Sequence, residues 1–143
     1  MMRWRGAMLD ISRHFFDAQF IKKTISSLAI FNYNTLHLHL TDDQGWRLES
    51  KVFPLLHQVG SIRKHSQNNH GLLEPTFDGV EHSGFLTHED VREIIVHASS
   101  LEIQVIPEIN IPGHTGALLA AYPQYGINQN PVEVSGRCGI SDH

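Results

Sequence analysis

The sequence predicts an α/β fold built from three successive βα units with parallel strands. Three observations carry this. Short apolar runs alternate with helical stripes in the order βα-βα-βα, the pattern of parallel strands joined by right-handed crossovers. Each strand-like run ends in polar groups: Arg13-His14, Asp42-Asp43, and Glu108 with His114. The composition, 41% hydrophobic and 18% charged, is that of a chain with one buried core.

Residues 7–11 form the first strand, an apolar run with an acid near its end. Asp17 is the predicted N-cap of the first helix. Ile21, Ile25, Leu28 and Ala29 recur there at helical spacing, with Lys22 and Lys23 off that face. Asn32-Tyr33-Asn34 closes it. Residues 35–41 form the second strand. Side chains alternate along a strand, so Leu36, Leu38 and Leu40 share one face and His37, His39 and Thr41 the other. Asp42 and Asp43 stand where it runs out.

The stretch from Asp42 to Leu86 is expected to be irregular, with Trp46 to Leu56 ordered and a mobile loop at about 64–84. Thr87 caps a second helix whose apolar stripe is Val91, Ile94, Ile95, Ala98 and Leu101. Residues 103–109 form the third strand. Pro112-Gly113-His114 turns into a third helix over 115–121, stopped by Pro123. The tail, about 124–143, is rich in Gly, Asn and Pro and is expected to be irregular.

A net charge of -4 gives no electrostatic reason to expect nucleic acid or an anionic membrane as partner. The single cysteine, Cys138, excludes an internal disulfide. No apolar run is long enough to cross a bilayer. Met1-Met-Arg-Trp-Arg-Gly leads almost directly into a strand, without the apolar region of a signal peptide.

In a parallel barrel the three polar strand ends lie on one rim, where an Arg, an acid and a His converge on a small molecule. Arg13 offers a planar fork of donors, Asp42 an acceptor for hydroxyls or for a histidine, and His114 a proton relay near neutral pH. Each has a plainer reading. Arg13 fits a structural ion pair, Asp42 a turn cap, and His114 a backbone hydrogen bond. Trp46 reads as packing before sugar platform, and Glu108 as structural before catalytic.

Taken together the motifs say more. Arg5-Gly-Ala-Met-Leu-Asp-Ile-Ser-Arg-His-Phe15, His37-Leu-His-Leu-Thr-Asp-Asp-Gln-Gly-Trp-Arg47 and Pro107-Glu-Ile-Asn-Ile-Pro-Gly-His114 resemble, in order and spacing, the first three strand ends of the family 20 glycoside hydrolases, the β-N-acetylhexosaminidases. Gly60-Ser-Ile-Arg63 and Ala121-Tyr-Pro123 are similar to the family as well. The resemblance runs to about Pro123. It implies an incomplete (β/α)8 TIM barrel of about three βα units, since a complete one needs about 250 residues. It implies a substrate with terminal β-linked N-acetylglucosamine or N-acetylgalactosamine, on an oligosaccharide or glycoconjugate, and no cofactor or metal. The implied mechanism is retaining and substrate-assisted, with the sugar's own acetamide as nucleophile. Arg13 and Asp43 are then expected to touch substrate, and Asp42 and His114 to form a network supporting the acid. Strand parity favours Asp43 as the inward acid; the motif favours Asp42.

One departure stands out. The family's working Asp-Glu pair ends its fourth strand, and this sequence has no Asp-Glu dipeptide; Glu89-Asp90 is reversed and opens a helix. The 143 residues are therefore expected to be inactive alone. Two rivals remain: a metal-dependent hydrolase using His37-x-His39, and a non-catalytic remnant or sugar-binding piece.

Overall fold

The computed structural model describes residues 2–69 and 74–138. In chain order the elements are β1 (Gly6–Asp10), α1 (Ala18–Ile30), β2 (Thr35–His39), β3 (Thr41–Asp42), β4 (Gly45–Trp46), α2 (Leu55–Gln58), β5 (Ile62–Arg63), β6 (His82–Ser83), α3 (His88–Ser100), β7 (Gln104–Glu108), α4 (Gly116–Ala121) and a 3₁₀ turn, Pro123–Tyr125. β1, β2 and β7 form one parallel sheet with β2 in the middle. Its register places Asp10, His39 and Glu108 side by side at the C-terminal end.

One face of this sheet packs on the helices. Leu9, Leu36, Leu38 and Val105 meet Ile21 and Ile25 of α1 and Ile94 and Ala98 of α3. The predicted caps form: Asp17 accepts from Phe20 N–H, and Thr87 and Asp90 make a capping box. The expected stripe on α3 is narrower than predicted, because Ile95 is 49% exposed. Val91, Ile94, Ala98 and Leu101 already fill the face toward the sheet, and Ile95 lies round the side of the helix. Among the described residues no helix is long and apolar enough to cross a membrane.

The second strand is shorter than predicted. β2 ends at His39, and Thr41 and Asp42 leave the sheet to pair with Trp46 and Gly45 around the corner Asp43-Gln44. The reason is local. Asp42 accepts from Asp43 N–H (2.8 Å), and Asn110 N–H donates to Thr41 Oγ1 (2.9 Å), so the chain bends here instead of extending.

The stretch from Asp42 to Leu86 is also more regular than expected. It holds β3, β4, α2 and the β5–β6 pair, with bridges between Leu48 and Leu86 and between Gln67 and Phe77. Residues 70–73 of the loop expected to be mobile, and 139–143 of the tail, lie outside the described residues. The tail before them has no helix or strand after Tyr125, yet Val134 is buried and Ser135 N–H donates to Asp43 O (3.2 Å). Trp46 is a packing residue, in a second core with Leu56, Ala117, Ala121 and Val134.

Arg47 organises this stretch. Its side chain is wholly buried and donates to the carbonyls of Ser12, Gln44, Ser61 and Gly84. Burial pulls its guanidinium down to about 9, and the charge of Arg63 adds to this, so at neutral pH it remains a cation. Glycine is required beside it: a Cβ on Gly45 would lie 2.4 Å from the guanidinium. Gly45→Ala is expected to destabilise the fold by about 1–3 kcal/mol through overpacking. A urea midpoint equal to wild type would contradict this.

His82 ties the far end of the stretch to β1's loop by accepting from Phe15 N–H through Nε2 (2.8 Å). Burial, then the charges of Arg63, Arg47 and His14, holds this histidine down at about 4. Between about pH 4 and 6.5 the unfolded chain binds the proton that the folded chain refuses, so stability rises with pH across that window. His82→Gln should flatten that part of the stability–pH curve, measured by urea unfolding from pH 4 to 7. A mutant curve parallel to wild type would show that His82 does not titrate in this way.

Candidate functional site

The three parallel strand ends deliver their polar groups to one corner. Asp10 closes β1, and its Oδ1 accepts from Ser12 N–H (3.0 Å) and Arg13 N–H (3.1 Å), which folds the loop back over the sheet. Arg13 is thereby brought over the rim. Its Nη1 pairs with Asp10 Oδ2 (2.8 Å), its Nη2 with Asp42 Oδ2 (2.8 Å), and its Nε donates to Gln44 Oε1 (3.1 Å). Its side chain is still 42% exposed, so the guanidinium is oriented by the protein yet open to a ligand.

Asp42 is the hub. Its carboxylate is fully buried, and Oδ2 lies near Arg13, Asn110 Nδ2 (3.3 Å) and His39 Nε2 (3.3 Å). Oδ1 faces His114 Nδ1 at 3.2 Å. His114 comes from the β7–α4 loop, where its backbone is left-handed (φ 55°) and the chain turns back toward β3. Its Nδ1 also lies 3.3 Å from Asp43 Oδ2. Two carboxylates beside one nitrogen place a hydrogen on Nδ1 and leave Nε2 without a contact to either acid. That is the tautomer needed to hold or take a proton from a neighbouring acid.

Asp43 is the second residue expected to touch substrate. Its carboxylate is buried, with Oδ1 accepting from Gly116 N–H (2.8 Å) and Oδ2 beside His114. It anchors the start of α4, where a Cβ on Gly116 would come within 2.9 Å of that same carboxylate. Both acids therefore serve His114, and Asp42 alone of the two also meets Arg13.

His39 is buried between these groups. Its Nε2 lies 2.9 Å from Thr41 O, and its Nδ1 lies 3.3 Å from Arg13 Nη1 and 3.5 Å from Asp10 Oδ1. His37 pairs instead with Glu108, lower on the same face of the sheet. His39 Nε2 also lies 3.9 Å from Glu108 Oε1, so the two histidines of His37-x-His39 flank one carboxylate. Asp42, Asp43 and His114 do bring ligand atoms within 4.8 Å of one another. Arg13 occupies Asp42 Oδ2, however, and would place its positive charge against a divalent ion. This donor set fits a hydrogen-bonded network and does not fit a metal site.

Burial acts to raise the Asp10 carboxyl, but hydrogen bonds from the Arg13 side chain and backbone, with the charges of His39 and Arg13, outweigh it and hold it below the ordinary value. Asp10 therefore stays an anion and keeps Arg13 in place. Sequence reasoning gave no role to Asp10 or to Asn110, which joins Thr41, His39 and Asp42. Asn110 sits inside the third motif, two residues past Glu108, but nothing in that motif shows which strand it reaches.

Known proteins match this chain in sequence and in fold. The family model described as "Glycosyl hydrolase family 20, catalytic domain" matches residues 2–142. The chain is 49% identical over 121 residues to a beta-hexosaminidase of Porphyromonas gingivalis, covering 85% of this chain and 14% of that one. It is 43% identical over 125 residues to a beta-hexosaminidase of Vibrio furnissii, covering 86% and 20%. Its fold superposes on a crystal structure of a beta-N-acetylhexosaminidase with a TM-score of 0.88 and 40% identity, over 97% of this chain and 28% of that one. For the Streptomyces plicatus N-acetyl-beta-hexosaminidase in complex with Thio-NAglucal the TM-score is 0.81, with 35% identity over 96% and 25%. The chain thus spans between 14% and 28% of the length of these relatives. With nearly every residue matched and the motif residues gathered at one rim, this chain belongs to glycosyl hydrolase family 20, as part of its catalytic domain.

Proposed function

We propose that this chain supplies one wall of a β-N-acetylhexosaminidase site, the wall that grips the terminal N-acetylglucosamine or N-acetylgalactosamine and supports the proton donor. The observation that carries this is the Asp42 carboxylate, which bridges Arg13 on one side and His114 on the other. Arg13, clamped by two carboxylates and half open to solvent, donates to ring hydroxyls. His114, with its proton on Nδ1, offers Nε2 to the carboxyl that protonates the leaving oxygen.

The reaction this wall serves is substrate-assisted and retaining. The acetamide oxygen of the sugar attacks the anomeric carbon as the bond to the leaving oxygen breaks, and a carboxylic acid donates its proton to that oxygen. Water then opens the oxazolinium ion with the same carboxylate as base. No Asp-Glu pair is present among these 143 residues, so the acid and the group that orients the acetamide are not supplied by them. The chain by itself binds sugar and does not turn it over.

Two measurements test this. With 4-nitrophenyl N-acetyl-β-glucosaminide the chain should release no nitrophenol above the buffer rate; turnover in the ordinary enzyme range of about 1 s⁻¹ or more would place a complete acid catalyst within these residues. Titration with N-acetylglucosamine, followed by NMR of the Arg13 Nε–H and the His114 ring, should give saturable shifts with Kd of roughly 10 mM. Arg13→Met should abolish them. Unmoved resonances in wild type would remove the sugar-binding assignment.

A further inference from the structure

Beside the Arg13 corner lies a cavity of about 700 Å³, large enough for a ligand bigger than one sugar. Asp10 and Arg13 of that corner line one side of it, and the rest of its wall is Gln44, the strands β5 and β6, and the tail at Arg137 and Cys138. Arg63 forms part of its wall and is only 5% exposed. Its hydrogen bonds go to neutral oxygens: Nε donates to Ser66 Oγ (2.9 Å) and Nη1 to Gln44 O (3.3 Å). No carboxylate lies within 4 Å of it among the described residues. Nη2 has no hydrogen-bond partner among the described residues and is not sealed from solvent, and Arg63 lines both this cavity and a smaller one beside β5.

A buried cation without an acid beside it is costly, and an incoming anion offsets that cost. The acids in the wall do not fill the role. Asp10 is held by Arg13. Asp78 is turned to the backbone N–H groups of Ser66 (2.7 Å) and Val80 (3.0 Å); its charge favours the Arg63 cation, but from beyond ion-pair distance. Glu81 is exposed at the edge. The free edge of a guanidinium matches two oxygens of one group, a geometry that neutral hydroxyls meet less well.

We propose that this cavity is a binding site for an oxyanion, a sulfate, phosphate or carboxylate group, with Arg63 as the anchoring donor. The group arrives either free or as an acidic substituent on the glycan held at the Arg13 corner. The site stands on the cavity wall alone, so it survives if the hexosaminidase reading fails.

Cys138 provides the readout. It is the sole cysteine, it is exposed, and it lines the same cavity. The rate at which iodoacetamide alkylates Cys138 in the full chain would be measured against rising inorganic sulfate, N-acetylglucosamine 6-sulfate, N-acetylglucosamine, and sodium chloride of matched ionic strength. Sulfate should protect saturably, slowing the reaction roughly tenfold at about ten times its midpoint by simple occupancy. Chloride should not, and any protection the neutral sugar gives from the Arg13 corner should be unchanged in Arg63→Gln. Arg63→Gln should lose the protection by sulfate. A lower midpoint for the sulfated sugar identifies the anion as part of a glycan, and equal midpoints identify a free anion. If Arg63→Gln does not fold, the Arg63 Nε–H resonance of wild type should shift with sulfate at the same midpoint. Absent saturation by sulfate, or sulfate protection that persists in folded Arg63→Gln, would overturn the proposal.

Discussion

Arg47 holds the chain segments around the site in register. All five of its hydrogen bonds go to backbone carbonyls, at Ser12 after β1, Gln44 in the hairpin corner, Ser61 before β5 and Gly84 after β6. Four stretches that are distant in sequence thus share one buried cation. Each unmet carbonyl would otherwise cost on the order of 1–3 kcal/mol. The guanidinium has the planar array of donors needed to satisfy several at once, which lysine lacks. Gly45 follows from the same constraint, because any side chain there would occupy the place of the guanidinium.

The site inherits its geometry from that arrangement. The hairpin corner that Arg47 fixes carries Asp42, Asp43 and Gln44, and these hold His114 and Arg13. Charge is balanced locally: Arg13 lies between Asp10 and Asp42, and His114 between Asp42 and Asp43. Preorganisation of this kind suits a site that orients a polar ligand before any proton moves. Arg63 joins this network through Gln44 O and has no carboxylate in ion-pair contact among the described residues. One cavity is lined by Arg63 and by Arg13, whose two carboxylates Arg63 lacks.

Several particulars were legible in the sequence because they depend on neighbours along the chain. Capping by Asp17 and Thr87, the apolar spacing of α1, and the Leu36–Leu38–Leu40 face all follow from local period and local hydrogen bonding. The Arg13, Asp42 and His114 group was legible for a different reason: parallel strands bring their C-terminal ends to one rim, so polar residues at those ends must meet. The end of β2 at His39 was not legible. It rests on Asn110 donating to Thr41 across 69 residues of sequence, a contact with no local signature. The order between Asp42 and Leu86 escaped for the same reason, since its organiser is a buried arginine in a stretch that reads as polar loop.

The sequence by itself determined the βα alternation, the helix limits, the family resemblance and the three residues that form the corner. These depend on periodicity and on residue chemistry that can be read in order. Only the tertiary structure decided the division of labour between Asp42 and Asp43, the burial of Arg47, and the position of Arg63 at a cavity wall. Each depends on which distant backbone groups a side chain reaches once the sheet has formed. A charged residue in a loop looks alike in the sequence whether it will be solvated or sealed in, and packing alone separates the two.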